Sequence, residues 1–462
     1  MGEFIKTIKS IFQIQELKDK ILLTLGLLLV YRFGSYIPLP AIDMSKVDSI
    51  LDTYKKSGGG DQAAGLLGLL ATFTGGAFSR ASIFALGIMP YISASIVMQL
   101  AGMAYPPVQK LQQDGESGRK KITQYTRWGT ILICLIQAPA YLASVTNVFL
   151  PYSAFSSAYL IAPTSFWFIV PSVVLLIAGT MFCMWLGEKI TDKGIGNGIS
   201  FLIMIGILAD LPKAILNEFD LKLSGDNGGA FVFFLEILVW IGVIMLSIIL
   251  VQAVRKIALQ YVSSNVRKGA VMSTVDAARQ YIPLKLNAAG VMPIIFAQAM
   301  MFIPGLLVSF LSDDKSTPPV WLASLTDIFG LGYNIVFAIL IIVFTFFYTA
   351  ISMPVKQMSD DLKRSGAIIP KVKPGDETAE YIDDILSKIT LPGAIFLAFL
   401  AILPSIVVSF GVSQGFALFF GGTSLIIMVG VILDTIQQIN TYLLNNHYDG
   451  LMESSRSNSR RV

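Results

Sequence analysis

Charged side chains are scarce in this sequence of 462 residues. Asp, Glu, Lys and Arg together make up 14% of the chain, whereas soluble globular proteins carry about 25%. Hydrophobic residues make up 54%, and the mean hydropathy is +0.68. These values exclude an ordinary soluble domain and indicate a membrane protein with several spans.

Cysteine and histidine are scarcer still. Cys134 and Cys183 both lie in apolar stretches, which argues against a disulfide framework or a zinc site. The single histidine, His447, lies in the polar C-terminal region. With so few ligands and nucleophiles, we expect no enzyme and no bound cofactor or metal. Residues 1–20 lack the uninterrupted apolar core of a signal peptide and are expected to form an amphipathic helix on the membrane surface.

Ten apolar windows have the character of transmembrane helices. They lie near residues 20–37, 77–100, 128–150, 166–187, 197–212, 231–252, 287–311, 333–353, 390–410 and 416–440. We therefore predict an all-α polytopic membrane protein with ten transmembrane helices. The polar stretch after residue 212 separates an N-terminal half (1–212) from a C-terminal half (213–440), and a tail (441–462) follows. Two similar halves of five spans each would be inverted relative to each other, an arrangement that builds a pathway near the bilayer midplane.

Lysine and arginine predict the orientation. Of the 34 such residues, 26 fall on one side of the predicted spans and 6 on the other, with Arg32 and Arg80 left unassigned near span ends. By the positive-inside rule the basic side is cytoplasmic, and both termini lie there. Two long loops on this side, 253–286 and 355–389, carry six basic residues each. Loops of this length exceed what topology requires and are usually functional.

An unusual stretch lies between Gly65 and Gln99. Its first part, Gly65 to Phe73, is apolar but shorter than the roughly 20 residues that cross a bilayer. After the Gly75-Gly76 break, the following span is rich in small and polar residues. Such a composition predicts a helix that faces protein or a water-filled path rather than lipid alone.

Several shorter patterns admit two interpretations. Ile88 and Ile92, like Ile199 and Ile203, are four residues apart and share a helix face, which is as typical of ordinary packing as of a pore lining. The glycine-rich GIGNGIS (194–200) is best explained as a tight turn between two spans, and GGTS (421–424) as a close helix contact. Asp434 is the deepest carboxylate and is expected to lie in packing near the cytoplasmic end of its span.

Motifs along nearly the whole chain resemble the bacterial SecY family of protein-conducting channels. The matching segments are ALGIMPYISASI (85–96), DGESGRKKITQYTRWGT (114–130), WLGEKITDKGIGNGIS (185–200), PLKLNAAGVMPIIFA (283–297), KRSGAIIPKVKPGDETAEYID (363–383) and GGTSLII (421–427). They occur in the family's order and on the predicted spans and loops. The resemblance implies two inverted halves of five helices each, arranged around a central pore.

The resemblance also implies roles for individual residues. The family's hydrophobic pore ring corresponds to Ile88, Ile92, Ile199, Ile203, Ile295 and Ile427. The plug, near residues 65–76, corresponds to Gly65, Leu66, Leu67, Leu69, Leu70 and Phe73. Polar members of the lateral gate correspond to Ser93, Gln99 and Asn287. The surface on which a motor or ribosome docks corresponds to Arg255, Lys256, Arg267, Lys268, Lys363, Arg364, Lys371 and Lys373.

The implied function is a channel that passes unfolded secretory polypeptides across the bacterial cytoplasmic (inner) membrane and releases membrane segments laterally into it. The implied partners are the small membrane subunits SecE and SecG, the SecA ATPase, the ribosome, signal sequences and lipids. Lys373 departs from the family, which usually has arginine before this Pro-Gly, so the planar fork of a guanidinium is missing. The alternative from another class is a secondary transporter of a small solute, for which Asp434 would be essential.

Overall fold

The computed structural model describes residues 14–40, 42–43, 74–78, 80–146, 159–162, 165–224, 229–261, 280–287, 289–311, 324–325 and 327–459. Within these ranges the chain is mostly helical. The helices are α1 (Gln15–Gly34), α2 (Met89–Ala104), α3 (Pro106–Gln113), α4 (Gly115–Ser144), α5 (Phe166–Lys193), α6 (Gly198–Ser224), α7 (Gly229–Gln252), α8 (Met292–Leu311), α9 (Leu331–Ser352), α10 (Val355–Ser365), α11 (Asp376–Ser409), α12 (Gln414–Ala417) and α13 (Gly422–Ser459). The strands are β1 (Val254–Tyr261), β2 (Gln280–Lys285) and β3 (Ala367–Ile368).

Six of these helices are long and apolar enough to cross a membrane: α5, α6, α7, α9 together with α10, α11 and α13. The other four predicted spans coincide with α1, α2, α4 and α8. The prediction of an all-α polytopic protein is therefore confirmed. Helix α6 extends to Ser224, beyond the predicted end at residue 212, because charged residues after Pro212 end the apolar window without ending the helical hydrogen bonds.

The second predicted span, 77–100, is helical only from Met89 onward. Residues 80–88 form successive turns, in which Gly87 has a φ of +53° and Ala81 a φ of +49°. Backbone pairing replaces the helical bonds: the Leu39 N–H donates to the Ala81 carbonyl at 2.8 Å, and the Ile83 N–H donates to Ile37 at 2.9 Å. Irregular backbone at membrane depth is stable only when protein surrounds it in this way.

By the density of contacts between residues, the chain divides into two compact units. Unit 1 comprises Met1–Asn217 and Ile427–Val462, and unit 2 comprises Glu218–Ile426. The boundaries fall within α6 and α13. In unit 1 an apolar cluster packs the turns of residues 81–88 against α4 and α5, with Ala81, Ala85 and Ala138 fully buried.

Unit 2 contains a small antiparallel sheet of order β2-β1-β3. Strands β1 and β2 belong to the first of the two loops predicted to be cytoplasmic, and β3 belongs to the second. Val254 pairs with Lys285 and Leu259 with Gln280, so β1 and β2 form a six-pair ladder. The sheet buries Ile257, Leu259 and Leu284 against Ile382 of α11. The two long loops of the sequence are thus joined into one packed structure outside the predicted spans.

Candidate pore and docking sites

Three of the predicted pore isoleucines meet in one apolar cluster of unit 1. Ile88 is 5% exposed and belongs to the core of this cluster, and the partly buried Ile92 and Ile199 pack against it. The core also contains Phe84 of the turns before α2 and residues of α1, α5 and α6, namely Leu28, Tyr31, Cys183, Leu186, Ile190 and Leu202. The isoleucines of α2 and α6 are therefore held on a common apolar support.

The glycine-rich turn between α5 and α6 positions Ile199. The Asn197 Oδ1 accepts from the Ile199 N–H at 3.1 Å and so caps the first turn of α6. The Gly198 N–H donates to the Thr191 hydroxyl at 2.9 Å, and the Gly196 N–H donates to the Gln438 side chain of α13, also at 2.9 Å. The prediction of a tight turn is confirmed.

Close approach of α5 and α6 requires glycine on both sides. A Cβ added at Gly187 would lie 2.9 Å from Ile199 Cγ1, and one added at Gly198 would collide with the Gly187 carbonyl oxygen. The position of Ile199 therefore depends on Gly187, a residue that the sequence offers no reason to single out.

The other three pore candidates lie on separate helices. Ile203 is partly buried one turn beyond Ile199 on α6, and Ile295 is partly buried on α8. Ile427 is 3% exposed on α13. Just before α13, a Cβ on Gly421 would collide with the Leu400 carbonyl oxygen, which confirms GGTS as a close helix contact.

The gate candidates differ in how their polar groups are satisfied. Ser93 donates to the Met89 carbonyl at 3.1 Å, and Gln99 donates to the Ser95 hydroxyl at 3.4 Å. Both bonds lie within α2. Asn287, at the end of the β2 segment in unit 2, is 6% exposed, and its Oδ1 has no hydrogen-bond partner among the described residues.

All six plug candidates, from Gly65 to Phe73, lie outside the described residues. The segment that follows them is anchored in unit 1. Arg32 of α1 donates to the Gly75 carbonyl at 2.9 Å, and Gly75 itself has a φ of +62°. A Cβ there would lie 3.0 Å from the Gly206 carbonyl oxygen of α6. The chain is therefore fixed immediately after the predicted plug.

Six of the eight docking candidates lie on the packed loops of unit 2 and are exposed. They are Arg255, Lys256, Lys363, Arg364, Lys371 and Lys373. Arg267 and Lys268 lie outside the described residues. Apolar residues close to the docking candidates in sequence, such as Ile257 and Ile369, are buried in one cluster. The exposed basic side chains therefore lie on a folded surface.

Lys371 and Lys373 stand on a tip, residues 369–375, that internal hydrogen bonds hold in shape. The Ser359 hydroxyl of α10 donates to the Gly375 carbonyl at 2.6 Å. The Thr378 hydroxyl of α11 donates to the Lys373 carbonyl at 2.7 Å. Lys373 also pairs with Glu377 at 3.1 Å, with both side chains largely exposed. We call residues 369–375 the docking tip.

Two polar arrangements were missed by sequence reasoning. Near the outer end of the predicted first span, the guanidinium groups of Arg32 and Arg80 lie 5.0 and 4.6 Å from the centre of the Tyr36 ring. In unit 2, Glu218, Lys222 and Glu236 form a buried charged cluster. Each is completed by a contact between separate elements, Arg80 with Tyr36 and Glu236 of α7 with Lys222 of α6, for which hydropathy alone carries no signal.

Comparison with known proteins agrees with this architecture. The SecY family model matches residues 82–436. The "Protein translocase subunit SecY" of Streptomyces scabiei is 38% identical over 445 residues, which cover 96% of this chain and 98% of that protein.

Solved structures share the fold. One, described as "The structure of a protein conducting channel", has a TM-score of 0.60 at 18% identity and covers 91% of both chains. Sec61 in the canine ribosome-channel complex from the endoplasmic reticulum has a TM-score of 0.56 at 17% identity, again over 91% of both. The sequence match to the family model and to the Streptomyces relative extends over most of the chain, and on this basis the protein is a member of the SecY family.

Proposed function

We propose that this chain forms the channel of a protein translocase, which passes unfolded polypeptides across a membrane and releases hydrophobic segments sideways into it. The observation that carries the proposal is that the partly exposed Ile92 and Ile199 pack against one apolar cluster in a SecY-family chain, with the partly exposed Ile203 one turn beyond Ile199 on α6. Aliphatic side chains contact a passing polypeptide without selecting one sequence. A hydrophobic constriction also resists wetting and so limits ion leakage.

The test is crosslinking to a polypeptide stalled during translocation. Single cysteines replace Ile92 or Ile203 in a chain whose own Cys134 and Cys183 are changed to alanine. We expect both positions to crosslink to a cysteine in the stalled polypeptide. Ile136→Cys on α4, at a position 65% exposed on the apolar surface, serves as the control that does not crosslink. Equal crosslinking at all three positions, or none at Ile92 and Ile203, would refute the pore assignment.

The lateral gate belongs to the same proposal. Polar contacts between membrane helices are worth about 0.6 kcal/mol each on average, so a few of them hold a gate that a docking hydrophobic segment can open. We assign Ser93, Gln99 and Asn287 to this gate. Asn287 suits the role because its buried side-chain oxygen accepts no hydrogen bond from any described residue. It therefore has the capacity to accept one within the gate.

We propose that partners supply the driving force for translocation. The docking tip and the exposed Arg255, Lys256, Lys363 and Arg364 suit contact with a SecA-type ATPase or with a ribosome, whose RNA phosphates attract basic side chains. Small membrane subunits of the SecE and SecG type complete the proposed complex. From the bacterial relative and the distribution of basic residues, we place the protein in the bacterial cytoplasmic (inner) membrane with both termini in the cytoplasm.

A secondary transporter is the less favoured function. It requires ionisable groups near the middle of the spans that can bind a coupling ion. Asp434 is exposed on α13, and Glu236 lies about two turns from the N-terminal end of α7 rather than at its middle. No observation among the described residues favours this alternative.

A further inference from the structure

The charged cluster of unit 2, formed by Glu218, Lys222 and Glu236, is buried and contains more acidic than basic groups. Glu218 and Lys222 lie one turn apart near the C-terminal end of α6, and Glu236 lies on α7. The side chains of Glu218, Lys222 and Glu236 are 1%, 7% and 7% exposed. Two carboxylates and one ammonium leave a net charge of −1 if all three are ionised. A buried charge without compensation is costly, so a further positive charge is expected.

Two of the three donors of the Lys222 ammonium have close partners. Its ammonium donates to the Gly411 carbonyl at 2.9 Å and lies 3.0 Å from Glu236 Oε1. Glu218 Oε1 is 3.7 Å away, which is too far for a good hydrogen bond. The other Glu218 oxygen accepts from the Ser413 N–H at 3.1 Å. Glu218 Oε1 and Glu236 Oε2 remain buried with no hydrogen-bond partner among the described residues.

Among the described residues, the elements that pack around the cluster bring no further buried charged side chain to it. Glu236 is the single charged residue of α7, and residues 410–413, α12 and the last four turns of α11 contain none. Asp220 of α6 is exposed, and Asp226 lies outside the described residues. One turn beyond Glu236 on α7, the Trp240 indole N–H donates to the Phe419 carbonyl at 2.8 Å. This bond joins α7 to the residues that follow α12.

We propose that this cluster is a proton-binding site, in which one proton is bound by the carboxyl group of Glu218 or Glu236, each of which has a buried oxygen with no hydrogen-bond partner among the described residues. A proton cancels the excess charge and provides a donor for a carboxylate oxygen that has no donor. A metal cation fits poorly, since the ammonium of Lys222 lies 3.0 Å from Glu236 and 3.7 Å from Glu218 and repels a second cation.

The proton also fixes a connection in the fold. Lys222 holds Gly411 and Glu218 holds Ser413, so the cluster fastens the segment between α11 and α12 to the ends of α6 and α7. When the proton leaves, the second negative charge competes for Lys222 and weakens this connection. Protonation of the cluster thus strengthens the attachment of the segment that leads into α12.

The experiment is infrared spectroscopy of the full chain in lipid nanodiscs during a pH titration. At neutral pH the wild-type protein is expected to have a protonated-carboxyl C=O band that is lost in both E218Q and E236Q, because either change leaves one carboxylate balanced by Lys222. The control D220N, an exposed residue of the same helix, keeps the band. A band that persists in both glutamine variants, or its absence from the wild type, would overturn the proposal.

Thermal stability distinguishes a proton from a structural carboxylate or a bound cation. Glutamine mimics the protonated carboxyl, so E236Q is expected to keep the wild-type unfolding midpoint at neutral pH, whereas K222M lowers it by several degrees. If E236Q lowers the midpoint as much as K222M, an ionised Glu236 is required and the proposal is wrong. A wild-type midpoint that rises with Na⁺ or K⁺ but not with choline would indicate a bound metal ion and would equally refute it.

Discussion

Single glycines decide where the candidate pore side chains lie. Gly187 brings the backbone of α5 so close to α6 that a Cβ would stand 2.9 Å from Ile199 Cγ1. We expect Gly187→Val to displace Ile199, to cost about 1–3 kcal/mol of stability as overpacking typically does, and to raise ion conductance through the resting channel in planar bilayers.

The matched control is Gly242→Val on α7, where an added Cβ meets no atom within 4 Å. This variant should leave both conductance and stability close to wild type. If the two variants leak equally, the packing of Ile199 does not contribute to the seal.

Lys373 carries the residue-scale prediction for docking. Its pair with Glu377 is exposed, and such pairs contribute about 0–1 kcal/mol, so Lys373→Glu should fold normally. We expect it to slow SecA-dependent export in proteoliposomes more than it slows ribosome-dependent membrane insertion. Lys373→Arg, which adds the planar fork usual in the family, should retain export.

Lys388→Glu is the charge-matched control, since Lys388 is also exposed and paired, with Asp384 at 2.7 Å, but lies away from the docking tip on α11. Equal losses of export and insertion in K373E, or an identical defect in K388E, would contradict a dedicated motor contact at Lys373.

At the residue scale, roles that depend on neighbouring residues in sequence could be predicted, and roles that depend on tertiary contacts could not. The role of Asn197 in a tight turn could be predicted because its signal is local. The partners of Lys222 could not, because Glu236 and Gly411 reach it only through tertiary packing. Gly187 gave no signal either, since a close approach is a property of two helices together.

At the scale of elements, the short apolar block 65–73 is the least ordinary part of the chain. We expect deletion of these nine residues to raise the ion conductance of the resting channel, because a plug that blocks the path would be gone. The fixed anchor at Gly75 should let the rest of unit 1 fold unchanged. Conductance across planar bilayers is the measurement.

Deletion of residues 54–62, also nine in number and mostly polar, shortens the same connection without touching the apolar block. It should leave the conductance low. A leak of equal size in both deletions would trace the effect to loop length, and an unchanged conductance in the first would remove the plug assignment.

The elements also separate what hydropathy can predict from what it cannot. The long helices could be predicted as membrane spans, because a predominantly apolar segment of about twenty residues is typical of a transmembrane helix. The start of α2 at Met89 was not, because residues 80–88 are as apolar as a helix but are held by backbone bonds to residues 37–39. The three-stranded sheet was missed because its strands are short and come from two separate loops.

For the molecule as a whole, family membership predicts a complex rather than a lone chain. Many apolar side chains remain exposed on the described helices, including Phe231 and Leu331, at 76% and 78%. We expect purification in a mild detergent to retain a small, tail-anchored membrane protein of the SecE type, identified by mass spectrometry, and a harsher detergent to remove it. Purification of the chain alone under both conditions would contradict the proposed complex.

The turns of residues 80–88 have a consequence for how the sequence can vary. An apolar helix with many exposed side chains, such as α7, is expected to accept almost any apolar residue at an exposed position. The turns lack that freedom, since Gly87 has a positive φ and Ala81 and Ala85 have no exposed surface. A saturation library should therefore tolerate exchange along the outside of α7 and reject it in this stretch, so that a segment without regular structure constrains the sequence more tightly than the helices around it.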